Sequence, residues 1–295
     1  MLGQQQAEYI LNKCNQNVIC FYLKIVSFGK VKKMSQTNSM PVLFIGHGSP
    51  ENAYLDNPFT KRMKNLGKEL PKPKAILCIS AHWLTEGTYV TAMENPKTIH
   101  DFYGFPDKLY QITYPAPGSP YLAETVKGIV KKADIILDNE EWGLDHGTWM
   151  ILKLMYPEAD IPVVQLSIDY YKPPEYHYEL GKELAPLRDE GVLIIGSGNL
   201  VHNIRKAMFP NLDVAPYDWA VEFDSKVEKY LNSGDHKSLI NYRDWGEVSQ
   251  LAHPTPDHYY PLMYAISLQR ENDRLTYPYV GFHYASASMR AVLIG

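Results

Sequence analysis

Five histidines stand where a short apolar run or a turn ends. Imidazole is the commonest metal ligand and also exchanges protons near neutral pH, so these residues are candidates for chemistry. The five are His47 in GHGSP, His82 in SAHW, His146 in DHG, His202 in NLVHN and His258 in TPDHY. If their side chains converge, they form one metal-and-substrate site and the protein is a metalloenzyme.

The segments around these histidines predict the elements that must position them. Short apolar runs predict four buried strands, at 41–46, 75–80, 161–168 and 191–196, with terminal strands expected at 279–283 and 291–294. Apolar residues at helical spacing mark 121–132, 180–188, 219–231 and 260–269. Strands that alternate with helices indicate an α/β fold. We expect one domain with a central, mostly parallel or mixed sheet flanked by helices.

Three of the histidines follow predicted strands. His47 comes directly after 41–46, His82 follows 75–80, and His202 follows 191–196 and a turn. Ligand sites in open α/β sheets lie outside the carboxyl ends of strands, so these residues predict a metal site there. A capping or packing role is the alternative for each histidine alone, but three in the same position favour a metal. The chain has no His-Glu-x-x-His zinc motif to support the site locally.

The remaining polar candidates are weaker. His258 precedes the predicted helix at 260–269, where Asp257 or Thr255 can cap the helix, and capping is the alternative for this stretch. Ser197 lies in IGSGN, which is not the Gly-x-Ser-x-Gly elbow of a serine hydrolase, so that function ranks low. We expect mostly surface or loop positions for the other histidines, which are His100, His177, His236, His253 and His283.

Two loops rich in proline and aromatic residues, 100–106 and 114–120, have two interpretations. They can line a pocket for an aromatic ligand. The alternative is rigid packing of the loops themselves, which we favour because proline and glycine commonly serve turns.

Composition narrows the class of protein. The formal net charge is −4, and the one short basic run, which is Lys30, Lys32 and Lys33, lies in a poor structural context, so we expect no nucleic-acid partner. No apolar stretch is long enough to span a bilayer, so we expect no membrane partner. The three cysteines, Cys14, Cys20 and Cys78, are too few and scattered for a disulfide framework and fit a reducing cytoplasm. A monomer is a plausible state.

The first 39 residues differ from the rest, because Met40 precedes the first convincing strand. We therefore predict an N-terminal extension at 1–39 and a catalytic domain at 40–295. The extension is either an accessory helix or upstream sequence included by a misplaced start codon.

Eight segments together resemble the class III extradiol ring-cleavage dioxygenases of the LigB superfamily, and within it the DOPA-cleaving branch. The resemblance runs from about residue 40 to 295 and several segments agree over five or more residues. They are GHGSP (46–50), SAHW (80–83), TIHDF (98–102), YPAPGSP (114–120), WGLDHG (142–147), QLSID (165–169), GNLVHN (198–203) and TPDHY (255–259).

The resemblance implies a role for each histidine. His47 and His82 correspond to the two histidine metal ligands common to the superfamily, and His258 to a further ligand. His202 corresponds to a histidine grouped with the metal site that acts as an acid or base in other relatives, so both roles stay open. His146 corresponds to a histidine that contacts substrate. Relatives that cleave protocatechuate use a carboxylate as third ligand, whereas this chain offers histidine there, or Asp257 beside it.

The implied function is opening of a catechol ring, such as that of L-DOPA, by O₂ at one divalent metal. Fe(II) is expected for turnover, and zinc is expected to occupy the same site without supporting it, because zinc cannot change redox state. His202 and His146 are the candidates for proton transfer. The alternatives are a non-catalytic, Memo-like metal-binding adaptor and a zinc-dependent hydrolase. The aromatic neighbourhood of Trp83, Phe102 and Tyr103 favours catalysis.

Overall fold

Strands and helices alternate along residues 39–295, which a computed structural model describes. Within this part of the chain the ten strands are β1 (Val42–Gly46), β2 (Ala75–Thr85), β3 (Thr88–Thr91), β4 (Ile135–Asp138), β5 (Val163–Asp169), β6 (Val192–Gly198), β7 (Leu275–Tyr279), β8 (Phe282–His283), β9 (Ala287–Ser288) and β10 (Ala291–Ile294). The α-helices are α1 (Pro58–Glu69), α2 (Asp107–Tyr110), α3 (Pro120–Ile129), α4 (His146–Met155), α5 (Pro174–Glu183), α6 (Pro186–Asp189), α7 (Asp218–Ser233), α8 (His236–Ile240), α9 (Glu247–Ala252) and α10 (Tyr260–Ser267). Short 3-10 helices lie at Pro50–Ala53, Ile204–Lys206 and Tyr242–Trp245.

Eight of these strands form one mixed sheet in the order β4-β3-β5-β2-β6-β1-β10-β7. The four central strands, β5, β2, β6 and β1, run parallel to one another. At one edge of the sheet, β10 runs antiparallel to β1, and β7 runs antiparallel to β10. At the other edge, β3 pairs antiparallel with β5 and parallel with β4. The predicted α/β class with a mixed central sheet is therefore confirmed.

The central strands are buried on both faces, as parallel sheets require. In β1, Val42 and Phe44 face one hydrophobic cluster while Leu43 and Ile45 face the other. Successive side chains of a strand point to opposite faces, so a continuous apolar run serves both clusters at once. Helices cover each side: α5, α7 and α10 pack on the first face, and α1 and α4 pack on the second.

The four predicted buried strands are present as β1, β2, β5 and β6, although β2 continues to Thr85. Its pairing with β5 is irregular between Ile79 and Leu84, so the strand continues through a distortion instead of ending. The expected strand at 279–283 is wrong, because β7 ends at Tyr279 and β8 is a separate short strand. The expected helix at 180–188 is also wrong. Pro186 cannot donate the hydrogen bond that would continue a helix, and α6 begins there.

The expectation of surface or loop positions for the five other histidines is wrong for His177, which is buried in α5, and for His283, which is buried in β8; His253 lies in a loop after α9 but is also buried. His177, His253 and His283 are almost fully buried, at 0%, 0% and 2% exposure. His177 contacts the Tyr264 hydroxyl through Nδ1, and His253 contacts the Leu200 carbonyl oxygen through Nε2. Such packing roles cannot be distinguished from surface positions by local sequence alone.

The predicted extension at 1–39 lies outside the described residues except for Ser39. Among residues 39–295, no helix combines the length and the apolar composition that crossing a membrane requires.

A buried arginine in α6 holds the chain in place just before β1. Arg188, which is 1% exposed, donates from Nε to the Met40 carbonyl oxygen, and its own carbonyl accepts the Met40 N–H. Its guanidinium also binds the Leu268 carbonyl oxygen and both carboxylate oxygens of Asp273. The chain is thus held two residues before the strand that leads to His47.

We expect this buried pair to matter far more than an exposed pair with the same groups. Asp273→Ala leaves the Arg188 charge buried without its carboxylate, which should lower the free energy of unfolding by about 3 kcal/mol. Asp189→Ala is the matched control, because Asp189 binds Arg270 in the same two-pronged way but its side chain is 59% exposed, and its loss should cost less than about 1 kcal/mol. Urea unfolding of both variants measures the difference, and equal losses would contradict this assignment.

Candidate active site

The first histidine is placed by β1 and oriented by β6. His47 follows Gly46 at the carboxyl end of β1, and its backbone N–H donates to the Gly198 carbonyl oxygen at 2.9 Å. Its Nδ1 lies 3.0 Å from Ser197 Oγ, which itself donates to the Gly147 carbonyl oxygen at 2.6 Å. Since the serine proton is committed, His47 carries its proton on Nδ1 and leaves the Nε2 lone pair free. Ser197 is an orienting residue in this arrangement.

Asp101 joins two further histidines that come from different elements. His82 lies inside β2, in its irregular stretch, and His146 is the first residue of α4. Asp101 Oδ2 is 2.9 Å from His146 Nδ1 and 3.3 Å from His82 Nδ1, while Oδ1 accepts the His146 backbone N–H at 2.8 Å. Burial acts to raise the pKa of Asp101, but the hydrogen bonds from His146 outweigh it and the net pKa is lowered.

A second carboxylate, Asp145, directly precedes His146. It is the N-cap of α4, accepts hydrogen bonds from the Ser80 hydroxyl and the Gln165 amide, and is fully buried. Burial and the neighbouring charge of Asp101 raise the pKa of Asp145 to about 6. Asp101, whose pKa is lowered, is therefore the more readily ionised of the two carboxyl groups, and it lines the cavity.

His258 and His202 form the opposite side. His258 lies just before α10, and its carbonyl accepts the Asn199 N–H at 3.0 Å, which holds it against the end of β6. The expectation that Asp257 or Thr255 caps this helix is wrong: the N-cap is Tyr259, without a side-chain hydrogen bond, and Asp257 binds His258 Nδ1 instead. The His202 ring stacks on the His258 ring with 3.4 Å between centroids and 9° between planes.

All five histidines line one cavity, so the structure brings together every residue of the predicted site. The ligand nitrogens of His47, His82 and His258 lie within 4.8 Å of one another, and His47 Nε2 is 3.0 Å from His82 Nε2. His202 groups instead with Asp257 and His258, and His146 with His82 and Asp101.

The electrostatics of this cluster suit a metal ion. Burial, followed by the proximity of the other imidazoles, lowers the pKa of His47, His82 and His202, so these rings are neutral at neutral pH. Ser197 accepts the His47 Nδ1–H, and the Asp101 carboxylate 3.3 Å from His82 Nδ1 favours a proton there, so the facing Nε2 atoms of both histidines present lone pairs. Two lone pairs 3.0 Å apart repel unless a cation lies near both, so the residues present fit a divalent metal.

The cavity is about 260 Å³ in volume, and apart from the histidines its lining is mainly apolar. Its walls carry Pro50, Phe102, Phe105, Ile204, Ala207, Phe209 and Tyr284. For the 100–106 loop, rigid packing is thus only part of its role, since Phe102 and Phe105 form part of the pocket wall. The 114–120 loop packs as favoured, with Tyr114 buried and its hydroxyl donating to the Tyr156 carbonyl oxygen.

Sequence reasoning assigned no role to Asp101 and considered Ser197 only as a nucleophile. Asp101 lies 45 residues from the histidine it holds, and Ser197 lies 150 residues from His47. The signal for Asp101 was its place in the TIHDF segment, directly before an aromatic residue that lines the cavity.

The sequence was compared with protein families. The model of the catalytic LigB subunit of aromatic ring-opening dioxygenase matches residues 40–289. The chain belongs to this LigB family. It is therefore an aromatic ring-opening dioxygenase of the extradiol type, and the adaptor and zinc-hydrolase alternatives gain no support. The extradiol dioxygenases of this family depend on a metal, which the cluster of histidines and aspartates can hold.

Individual LigB relatives cover most of the chain. The 4,5-DOPA dioxygenase extradiol of Escherichia coli K12 is 48% identical over 265 residues, which is 89% of this chain and 97% of the relative. The 4,5-DOPA dioxygenase extradiol of Beta vulgaris is 43% identical over 245 residues, covering 81% and 91%. The crystal structure of an uncharacterized E. coli K12 protein matches with a TM-score of 0.76 and 44% identity, over 87% of this chain and all of that one.

Gly198 should be essential for the placement of His258 in this LigB enzyme. A methyl group at Gly198 would stand 2.2 Å from the His258 carbonyl oxygen, so Gly198→Ala must displace the His258 backbone. We expect the dissociation constant for a divalent metal to rise by about 10- to 100-fold, as when supporting contacts of a metal site are lost. Titration against a colorimetric chelator measures it. Gly128→Ala is the control, since no heavy atom lies within 4 Å of that methyl group, and indistinguishable constants would contradict the prediction.

Proposed function

We propose that this LigB dioxygenase opens the ring of a catechol such as L-DOPA with O₂, at one divalent metal bound by His47, His82 and His258. The observation that carries the proposal is the convergence of three imidazoles at the base of an apolar cavity. Residues 40–295 would form the catalytic unit, acting in the cytoplasm, the compartment that the cysteine usage predicts. L-DOPA is chosen because the E. coli and Beta vulgaris relatives are named for it.

Three histidine ligands leave open positions for substrate and O₂, as a catalytic metal requires. Bound Fe(II) would supply the charge that favours loss of the catechol protons and the redox capacity that O₂ chemistry needs, whereas zinc would supply only the charge. The chain's contribution is to hold the nitrogens in place. Ser197 and Asp257 hydrogen-bond to the Nδ1 atoms of His47 and His258, and the Asp101 carboxylate lies 3.3 Å from His82 Nδ1, so each ligand has a polar partner that orients it.

His202 and His146 are assigned to proton transfer. The lowered pKa of His202 keeps its imidazole neutral, so it can accept a proton from a catechol hydroxyl. His146 donates its Nδ1–H to Asp101 and so offers the Nε2 lone pair to the cavity, where it can accept a hydrogen bond or a proton from a substrate hydroxyl. We assign His202 as a base and not as a ligand, because His258 and not His202 groups with both His47 and His82.

The apolar walls would serve the aromatic ring of the substrate. Phe102 meets the His146 ring edge-on at 5.5 Å and the Phe105 ring at 5.3 Å, so it borders both the polar base and the outer wall. Aromatic rings prefer such edge and offset contacts, and burial among apolar side chains excludes water. A catechol would thus place its hydroxyls towards the histidines and its ring against Phe102 and Phe105.

Substitution of the two proton-transfer residues should separate catalysis from metal binding. His202→Gln and His146→Gln should lower kcat by about 10²- to 10⁴-fold, the usual contribution of a general acid or base. Both variants should bind metal as tightly as the wild type, while His47→Ala should not. Stopped-flow assays at saturating metal and chelator titrations give the two quantities. If His202→Gln loses metal as His47→Ala does, His202 is a ligand.

The metal itself provides the decisive test of function. The protein is stripped with a chelator, loaded anaerobically with Fe(II) or Zn(II), and mixed with L-DOPA and oxygen. We expect the Fe(II) form alone to give a yellow ring-opened product with consumption of one O₂ per substrate. The proposal fails if no catechol is opened by the Fe(II) form while the zinc form hydrolyses an ester or amide.

A further inference from the structure

One carboxylate oxygen contacts two histidines that have different assigned roles. Asp101 Oδ2 faces His146 Nδ1 at 2.9 Å and His82 Nδ1 at 3.3 Å, and the two rings lie side by side with 4.0 Å between centroids. By comparison, Asp257 makes its hydrogen bond to the ring of a single histidine, His258. Asp101 is therefore placed to act on a ligand and on a substrate-contacting residue at the same time.

We propose that Asp101 is a positioning residue that holds His82 for metal binding and His146 for proton transfer through one carboxylate oxygen. The inference rests on the proposed function for the roles of the two histidines. Asp101 accepts the hydrogen bond of His146 Nδ1–H, and its negative charge 3.3 Å from His82 Nδ1 favours a proton on that nitrogen, so both rings keep Nε2 turned away from Asp101. Without it, each ring is free to flip or to carry its proton on Nε2, where it can neither bind a metal nor serve substrate in the same way.

The surroundings of Asp101 hold it firmly enough for this role. Thr98 forms an isolated parallel bridge with Leu144, and the Ile99 N–H donates to the Leu144 carbonyl oxygen at 2.7 Å. The Trp149 indole N–H donates to the Ile99 carbonyl oxygen at 2.9 Å. The segment before Asp101 is thus tied both to the residues that precede α4 and to α4 itself. Its carboxylate then binds the backbone N–H of His146 at the start of that helix.

The isosteric variant Asp101→Asn removes this arrangement with little change in volume. An amide has one acceptor oxygen, so it cannot accept from both the His146 backbone N–H and the two imidazole N–H groups. We expect two separable losses. The dissociation constant for Zn(II) should rise by about 10- to 100-fold through His82, and kcat with saturating Fe(II) should fall by about 10-fold or more through His146, while KM changes little.

Asp107→Asn is the matched control. Asp107 lies six residues further on, at the start of α2, but it is exposed and does not line the cavity. It should leave the Zn(II) dissociation constant and kcat at wild-type values. Thermal unfolding of the metal-free proteins is followed in parallel. If Asp101→Asn does not fold, Asp101→Ser replaces it in the same comparison, with the same expected losses.

A double-mutant cycle with His146→Gln distinguishes positioning from general damage. In the His146→Gln background, Asp101→Asn should still weaken Zn(II) binding, because His82 is still affected, but should lower kcat little further. Full additivity in kcat, or a Zn(II) constant within twofold of the wild type in a folded Asp101 variant, would overturn the proposal. The Zn(II) titrations need no turnover, so they test Asp101 even if no catechol proves to be a substrate.

Discussion

The site depends on the neutral imidazoles of His47 and His82, whose Nε2 atoms face each other at 3.0 Å. Burial lowers the pKa of His47 and His82, which keeps their lone pairs available, but a neutral imidazole can present either nitrogen. The orientation is set at the nitrogen that faces away: Ser197 hydrogen-bonds to His47 Nδ1, and the Asp101 carboxylate lies 3.3 Å from His82 Nδ1. The rest of the fold brings these histidines and their partners, which are far apart in the sequence, into contact.

The sheet brings the strand ends that carry these residues together. Parallel pairing of β1 with β6 aligns Gly46 with Gly198, so the two strands end side by side. Glycine at Gly198 lets the backbone of His258 approach β6, since a methyl group there would meet its carbonyl oxygen at 2.2 Å. Gly147 allows a similar approach, because a methyl group there would stand 2.6 Å from Ser80 Oγ. The strand register and the glycines at these close approaches thus set the spacing of the histidines.

The sequence predicted the strands that carry the histidines better than it predicted the residues that orient the histidine rings. His47 and His202 could be found because continuous apolar runs mark parallel strands, and ligands lie at their carboxyl ends. The short strands β3 and β4 were missed, since only four residues each and an exposed Ile136 leave no clear periodicity. His258 was reached only through the family resemblance. Asp101 received no role, because its contacts with His146 and His82 arise from tertiary folding and leave no local pattern.

With His258 as the proposed third ligand in place of a carboxylate, the position of the negative charge would change but the charge would not be lost. Two-His-one-carboxylate sites place one anion directly on the metal. Here Asp101 and Asp257 stand behind His82 and His258, and the pKa of each is lowered despite burial, because the neighbouring imidazoles hydrogen-bond to the charged form. Two negative charges one imidazole away from the centre match the two positive charges of a divalent ion. A carboxylate that donates its charge through an imidazole also raises the basicity of that ligand. The all-histidine set is therefore compatible with a cation in a largely apolar cavity, provided that both aspartates stay ionised.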